Sequence, residues 1–216
     1  MAKTREKLSR DTIVEGALAL VDREGLDALT IRRLAQDHSV TPMALYWHFK
    51  DKHELVAGLA ERLLADVDLP AAEGSWHERL RAALVAVLAA VRPHPAVAGL
   101  VPPRILESHA GLTVADHVLG LLREGGFTAE EAAELGGYLL SAGVTLVTAE
   151  PGATDAHPAA SRDEAVARKR TALAALPADR FPNVSAASDA LADCGDEDSY
   201  FARGVDLLVS GVQGLR

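Results

Sequence analysis

Apolar residues recur along this chain at helical spacing. Ile13, Ala17, Leu20 and Val21 lie at i, i+4, i+7 and i+8, the stripe of an amphipathic helix, with Ser9 a candidate cap before it and Gly25 at its end. Asp51 followed by Glu54 resembles a capping box and opens a longer pattern to about Val67, closed by Pro70. Ser75 with Glu78, Thr128 with Glu131 and Ser161 with Glu164 share the S/T-x-x-E spacing of a capping box. They predict helices over about 76–92, 129–149 and 162–175. A further helix is expected from about Leu112 to Glu124, ending at Gly125-Gly126, and the stripe Phe201, Val205, Leu208, Val209 and Val212 predicts a C-terminal one. Arg92-Pro93-His94-Pro95 and Val101-Pro102-Pro103 read as breaks. Residues 150–161 and 177–199, with their Pro and small or acidic residues, read as loops. No internal repeat and no period-two alternation compete with this pattern, so the expected fold is all-α.

One stretch is more specific than amphipathic helix. Thr30 to Lys52 reads as two short helices joined by a tight turn and followed by the start of a third. Thr30 can cap the first. Thr41 can cap the second, with Pro42 at its first helical position, where the missing N–H costs nothing. Leu34, Ala35, Val40, Leu45 and Phe49 supply an apolar seam. Arg32, Arg33, Tyr46, His48, Lys50 and Lys52 supply donors on the other side. A short helix fixed across a partner helix, with donors around it, is how side chains are placed in the DNA major groove.

Composition sharpens this in two ways. Of 216 residues, 49% are hydrophobic but only 4% aromatic, so Ala and Leu dominate, which favours packed helices. The net charge is −9, but residues 1–52 hold nine Lys/Arg against eight Asp/Glu, and Lys3, Lys7, Lys50 and Lys52 are four of the five lysines. Local charge governs phosphate attraction, not the sum over the chain. The single cysteine, Cys194, excludes an internal disulfide or thiolate metal site and fits a reducing cytosol. No apolar run is long enough to span a membrane, and the basic N-terminus lacks the apolar core of a signal peptide. A cytoplasmic location without membrane contact is expected.

The residues E-G-L-D-A-L-T, I-R-R-L-A-Q and V-T-P-M-A-L-Y-W-H-F-K-D-K-H-E-L resemble the TetR family of transcriptional repressors over about the first 65 positions. The Y-W-H form is similar to the tetracycline-repressor branch. R-F-P-N and the closing F-x-x-G-V-D-L-L-V-S-G-V extend a weaker likeness to that branch's C-terminal domain. The resemblance implies a helix-turn-helix DNA-binding head over residues 1–52 and a larger helical effector-binding and dimerisation domain over 53–216. It implies a homodimer through about 129–149 and 199–214, working as a repressor released from a palindromic operator by a small effector. By position, Thr30, Tyr46 and Lys52 match phosphate-contacting residues, whereas Arg32, Pro42, Met43 and Ala44 match residues facing base edges. Arg32 could pair with guanine O6 and N7 together, and Met43 and Ala44 could touch a thymine methyl. His48 would donate to a phosphate or to the helix turn. Trp47 reads equally as a DNA-contacting or a packing residue, Tyr46 more as a DNA contact than as packing, and Arg33 as a solvated surface charge rather than a base reader.

Val67-Asp68 stands where the tetracycline repressor would have a histidine, so a tetracycline–metal complex is not the expected effector. A cavity lined by Leu, Val and Ala with Arg104, His109, His117 and Tyr138 as its ligand-binding polar groups, and with His94 nearby, would suit a largely apolar organic molecule. None of the eight histidines has metal-ligand spacing, and neither a metal nor a cofactor is expected. No catalytic residues emerge either: Cys194 lies in the acidic stretch Asp193 to Asp198, which raises a thiol pKa, and no phosphate-cradling glycine loop occurs. A helical ligand-binding or adaptor protein that has lost DNA binding is the alternative.

Overall fold

Twelve α-helices are described in the computed structural model, which covers residues 8–71, 73–151 and 162–216; no strand occurs among the described residues. Helix α1 (Arg10–Glu24) starts at Ser9, which exchanges bonds with Thr12, and stops at Gly25, whose φ of 81° is cheap only for glycine. A short 3-10 turn, Leu26–Ala28, leads to α2 (Ile31–Asp37) and α3 (Pro42–Tyr46). Helix α4 (Lys52–Ala65) follows, and buries Leu55, Leu59, Leu63 and Leu64. It packs on α1 on one side and on α7 (His109–Glu124) on the other, so it belongs to both halves of the chain.

The larger half is built on α5 (Trp76–Val91), which packs against α7, α8 (Ala129–Thr148) and α12 (Glu197–Gln213). Its buried face, Leu80, Ala83, Leu84, Val87, Leu88 and Val91, follows the expected helical period. Each leucine so buried contributes roughly 1.5–3 kcal/mol of transfer free energy. Glycine permits the closest approach between α8 and α12: a Cβ at Gly204 would lie 2.6 Å from Leu146.

Capping chemistry sets most of these ends. The Glu131 carboxylate accepts the Thr128 N–H at 2.7 Å while Thr128 Oγ1 accepts the Glu131 N–H at 3.2 Å. Glu78 likewise accepts from the Ser75 N–H at 2.8 Å. At Asp51 the pattern is displaced. Asp51 caps the Glu54 N–H at 2.8 Å, but Glu54 reaches one residue further back, to the Lys50 N–H at 2.8 Å.

Three expectations are corrected. The helix placed from Leu112 begins at His109, because the Ser108 hydroxyl caps the Gly111 N–H at 3.1 Å. The span 177–199 is not a plain loop: it holds α10 (Pro182–Ala186), α11 (Ser188–Ala192) and the start of α12, with Pro182 in the first turn of α10. The proline breaks carry short structure of their own: α6 (Pro95–Ala98) starts at the end of the first, and a 3-10 turn, Pro102–Arg104, lies on the second. Helix α9 (Arg162–Ala174) packs with α10 and α11. The expected Ser161 cap and most of the 150–161 loop lie outside the described residues.

Candidate nucleic-acid interface

Helix α2 is oriented by its own Arg33. Thr30 Oγ1 caps the Arg33 N–H at 3.1 Å, and the Arg33 guanidinium forks onto both Glu24 oxygens at 2.8 and 2.7 Å and onto Asp37 at 3.2 Å. Arg33 is therefore a surface charge, as expected, but one paired with two carboxylates. It ties the end of α1 to α2, and its hydrogen bonds hold the Glu24 carboxyl below the usual range. With Arg33 committed, Arg32 is exposed and has no partner among the described residues.

The turn into α3 is a Schellman closure. The Ser39 N–H donates to the Gln36 carbonyl at 3.0 Å and the Val40 N–H to the Ala35 carbonyl at 2.9 Å, with Ser39 itself at φ 54°. Thr41 Oγ1 then caps the Ala44 N–H at 3.4 Å, and Pro42 occupies the first position of α3. Leu45 and Phe49 face inward and are buried, as Leu34 and Ala35 are on α2. The opposite face is open: Met43 is 65% exposed, Tyr46 48% and Trp47 82%. The packing reading of Tyr46 and Trp47 is thus corrected, because the seam is filled by Leu45 and Phe49 and leaves both rings outside. Thr30, Thr41 and Pro42 are exposed beside them, Ala44 and His48 are partly exposed, and Lys50 and Lys52 are exposed at the entrance to α4.

Two functional candidates were missed by sequence reasoning. Arg10 Nη1 donates to the His48 carbonyl and to Glu54 Oε1, both at 2.9 Å. Both residues sit in ordinary helix-start positions 44 residues apart, and nothing in local spacing joins them.

The four proposed effector residues do not share one environment. Arg104 is half-buried, its Nη1 donating to the Leu100 carbonyl at 3.5 Å, and its Nε is buried without a partner. His117 on α7 likewise has a buried Nε2 without a partner. His109 is exposed, and Tyr138 is 63% exposed with its hydroxyl donating to Glu134 at 2.8 Å. These two face outward from the single chain and line no enclosed space within it, because they fall on outer faces of α7 and α8. His94 bonds through Nδ1 to Asp22 of α1 at 2.7 Å and borders an open groove of ≈ 360 Å³ with Asp66, Asp68 and Ala86. Cys194 donates to Glu150 at 3.4 Å, and burial, then that carboxylate, push its thiol pKa up. No cluster of three or more metal-ligating side chains occurs among the described residues, and no described helix is long and apolar enough to cross a membrane.

An exposed short helix braced across a capped partner and set on a larger helical body defines a helix-turn-helix protein of two parts. Residues 13–59 match the family described as bacterial regulatory proteins, tetR family, and residues 69–215 match the tetracyclin repressor-like C-terminal domain. The class A tetracycline repressor of Escherichia coli, from transposon 1721, is 31% identical over 97% of this chain and 93% of its own. An HTH-type transcriptional regulator of Saccharopolyspora erythraea is 28% identical over 98% and 87%. Among solved structures, a possible TetR family regulator from Streptomyces coelicolor A3(2) superposes with a TM-score of 0.80 at 30% identity, covering 96% of this chain and all of that one. ActR of Streptomyces coelicolor in complex with actinorhodin gives 0.75 at 27%, covering 96% of each. The chain belongs to the TetR family, whose members are ligand-responsive, DNA-binding regulators of transcription.

Proposed function

We propose that this protein is a homodimeric repressor that leaves a two-fold symmetric operator when a small, largely apolar effector binds. The observation that carries the reading is the open face of α3. Met43 and Tyr46 on this five-residue helix and Trp47 at its C-cap stand in solvent, while Leu45 on the other face is fully buried. Exposing large apolar side chains on so short a rigid helix has a ready use in contacts with bases and sugars. Arg32, Pro42, Met43 and Ala44 would read base edges, and Thr30, Thr41, Tyr46, Trp47, His48 and Lys52 would meet the backbone. The head is assigned to residues 1–52 and the effector and dimer domain to 53–216, with α4 as the element that both halves grip.

A second copy fits against α8 and α12, about residues 129–149 and 199–214. Exposed Gly137 and Tyr138 on α8, and Leu207 (75% exposed) and Gly211 on α12, lie on helices that pack together. A Cβ at Gly137 or Gly211 would meet nothing within 4 Å, so neither glycine is needed by the single chain, although each weakens its helix by roughly 0.5–1 kcal/mol. Close approach of a partner helix accounts for them. In the dimer the two α3 helices would enter major grooves about one helical turn apart. An effector that prefers another spacing lowers DNA affinity by its differential affinity for the two states. The unpartnered Arg104 and His117 nitrogens are the best polar anchors for that effector; His109 and Tyr138 could serve only where a partner chain covers them. The protein acts by binding rather than by catalysis, in the cytoplasm.

Arginine and lysine substitutions separate readout from attraction. Arg32→Ala should cost on the order of 1–3 kcal/mol and relax preference at one base pair, whereas Lys52→Ala should weaken all duplexes alike and reduce the salt slope by about one. Titration of a panel of single-base operator variants measures both. Unchanged discrimination in Arg32→Ala would remove Arg32 from the readout.

A further inference from the structure

The turn that brings His48, Lys50 and Lys52 to the DNA side is built from residues between two helices, where backbone groups lack regular partners. Two side chains far apart in sequence take them up. Arg10, at the first position of α1, donates from Nη1 to the His48 carbonyl and to Glu54 Oε1, each at 2.9 Å. Its guanidinium lies 4.3 Å over the centroid of Phe49, the buried ring at the foot of the turn. Glu54 completes the ring of contacts by accepting the Lys50 N–H at 2.8 Å on its other oxygen. That bond first, and Arg10 second, hold the Glu54 carboxyl below the usual range, so it is ionised at neutral pH. The His48 carbonyl and the Lys50 N–H are thereby fixed from both sides, while the side chains of Lys50 and Lys52 stay exposed.

We propose that Arg10 and Glu54 form a positioning clasp for DNA binding, holding the His48–Lys52 turn in register with the phosphates while touching no DNA themselves. The proposal rests on the DNA-binding reading above. The ion pair is half-exposed, at 43% and 34% for the two side chains, so it adds little to stability. Its effect is geometric, because a contact surface works only when its side chains are held within about 0.5 Å by supporting bonds. Glu54 also lies in the first turn of α4, where a carboxylate favours the helix dipole, but a negative charge at a DNA-facing turn still repels phosphates unless it is paired. The clasp pairs that charge with Arg10.

The two roles predict opposite signs. The test compares wild type, Arg10→Gln, Glu54→Gln, the double variant and Arg10→Lys, as full-length protein, on the tightest duplex selected from a random library, across salt. The clasp predicts that each Gln variant binds about ten-fold more weakly, equivalent to about 1.4 kcal/mol. The double variant should be no weaker than the worse single, the salt slope should be unchanged, and Lys, which lacks the fork, should not rescue. If Arg10 touches a phosphate instead, Arg10→Gln lowers the slope by about one, Lys restores binding, and Glu54→Gln binds as well as wild type or better; that pattern overturns the clasp. Wild-type affinity in both single variants overturns it as well. Should Arg10→Gln lower the melting temperature below the assay range, Glu54→Gln alone decides by the sign of its effect. Failure of the wild type to bind any duplex would overturn the DNA reading itself, and the clasp with it, whereas tight wild-type binding with unaffected variants would overturn the clasp alone.

Discussion

Ser39 is the one residue outside glycine with a positive φ among the described residues, 54°, and it sits in the turn that sets the angle between α2 and α3. Left-handed backbone costs an ordinary L-residue roughly 1–2 kcal/mol, and glycine almost nothing. Ser39→Gly should therefore stabilise the head by about 0.5–1 kcal/mol, less the entropy that glycine adds to the unfolded chain, as read by chemical denaturation. No gain would mean that the turn is not strained. The same position shows why residue-level reading runs out. Glycine or asparagine there would have announced the turn type, whereas serine left only a tight connection of unknown geometry. The caps Thr30 and Thr41 were legible because each needs nothing beyond its own next three residues. The pairing of Arg33 was not legible, because its partner Glu24 belongs to another helix.

Between elements, three polar links fasten α1 to its neighbours: Arg33 with Glu24, Arg10 with Glu54, and His94 with Asp22. Both glutamates have pKa values lowered in the folded protein, Glu24 chiefly by Arg33 and Glu54 chiefly by the Lys50 N–H. A lowered carboxyl pKa contributes stability that is present above the unfolded value, roughly pH 4.3, and lost as pH falls through the folded one. The melting temperature should accordingly fall as pH drops from about 5 towards 3, and the fall should be shallower in a Glu24→Gln, Glu54→Gln double variant. Equal slopes in the two proteins would rule out these links as the acid-sensitive elements. The longer helices were readable, because stripes such as Ile13, Ala17, Leu20 and Val21 repeat at short range and capping boxes mark their starts. Helices α10 and α11 were not, since five-residue helices carry too few periods to be told from loop.

For the whole molecule, the all-helical plan and the likeness of the first 65 residues to one family were legible, because a helix-turn-helix concentrates caps, seam and donors in little more than twenty consecutive positions. The effector site was not. Arg104, His109, His117 and Tyr138 were grouped by their nearness in sequence to a supposed cavity, but helix rotation turns His109 and Tyr138 outward, and periodicity alone does not say which outer face a second chain will cover. In the proposed repressor two heads, held apart by α8 and α12, read a symmetric operator. Selection of duplexes from a random library by purified protein, with binding repeated across salt and with Leu207→Glu run alongside, tests it most directly. Wild type should select a two-fold symmetric site and lose it steeply as salt rises. Leu207→Glu, altered at a 75% exposed position, should fold, sediment as a monomer and select no paired half-sites. Sequence-indifferent binding by the wild type, or a symmetric site selected equally well by a monomeric Leu207→Glu protein, would contradict the account.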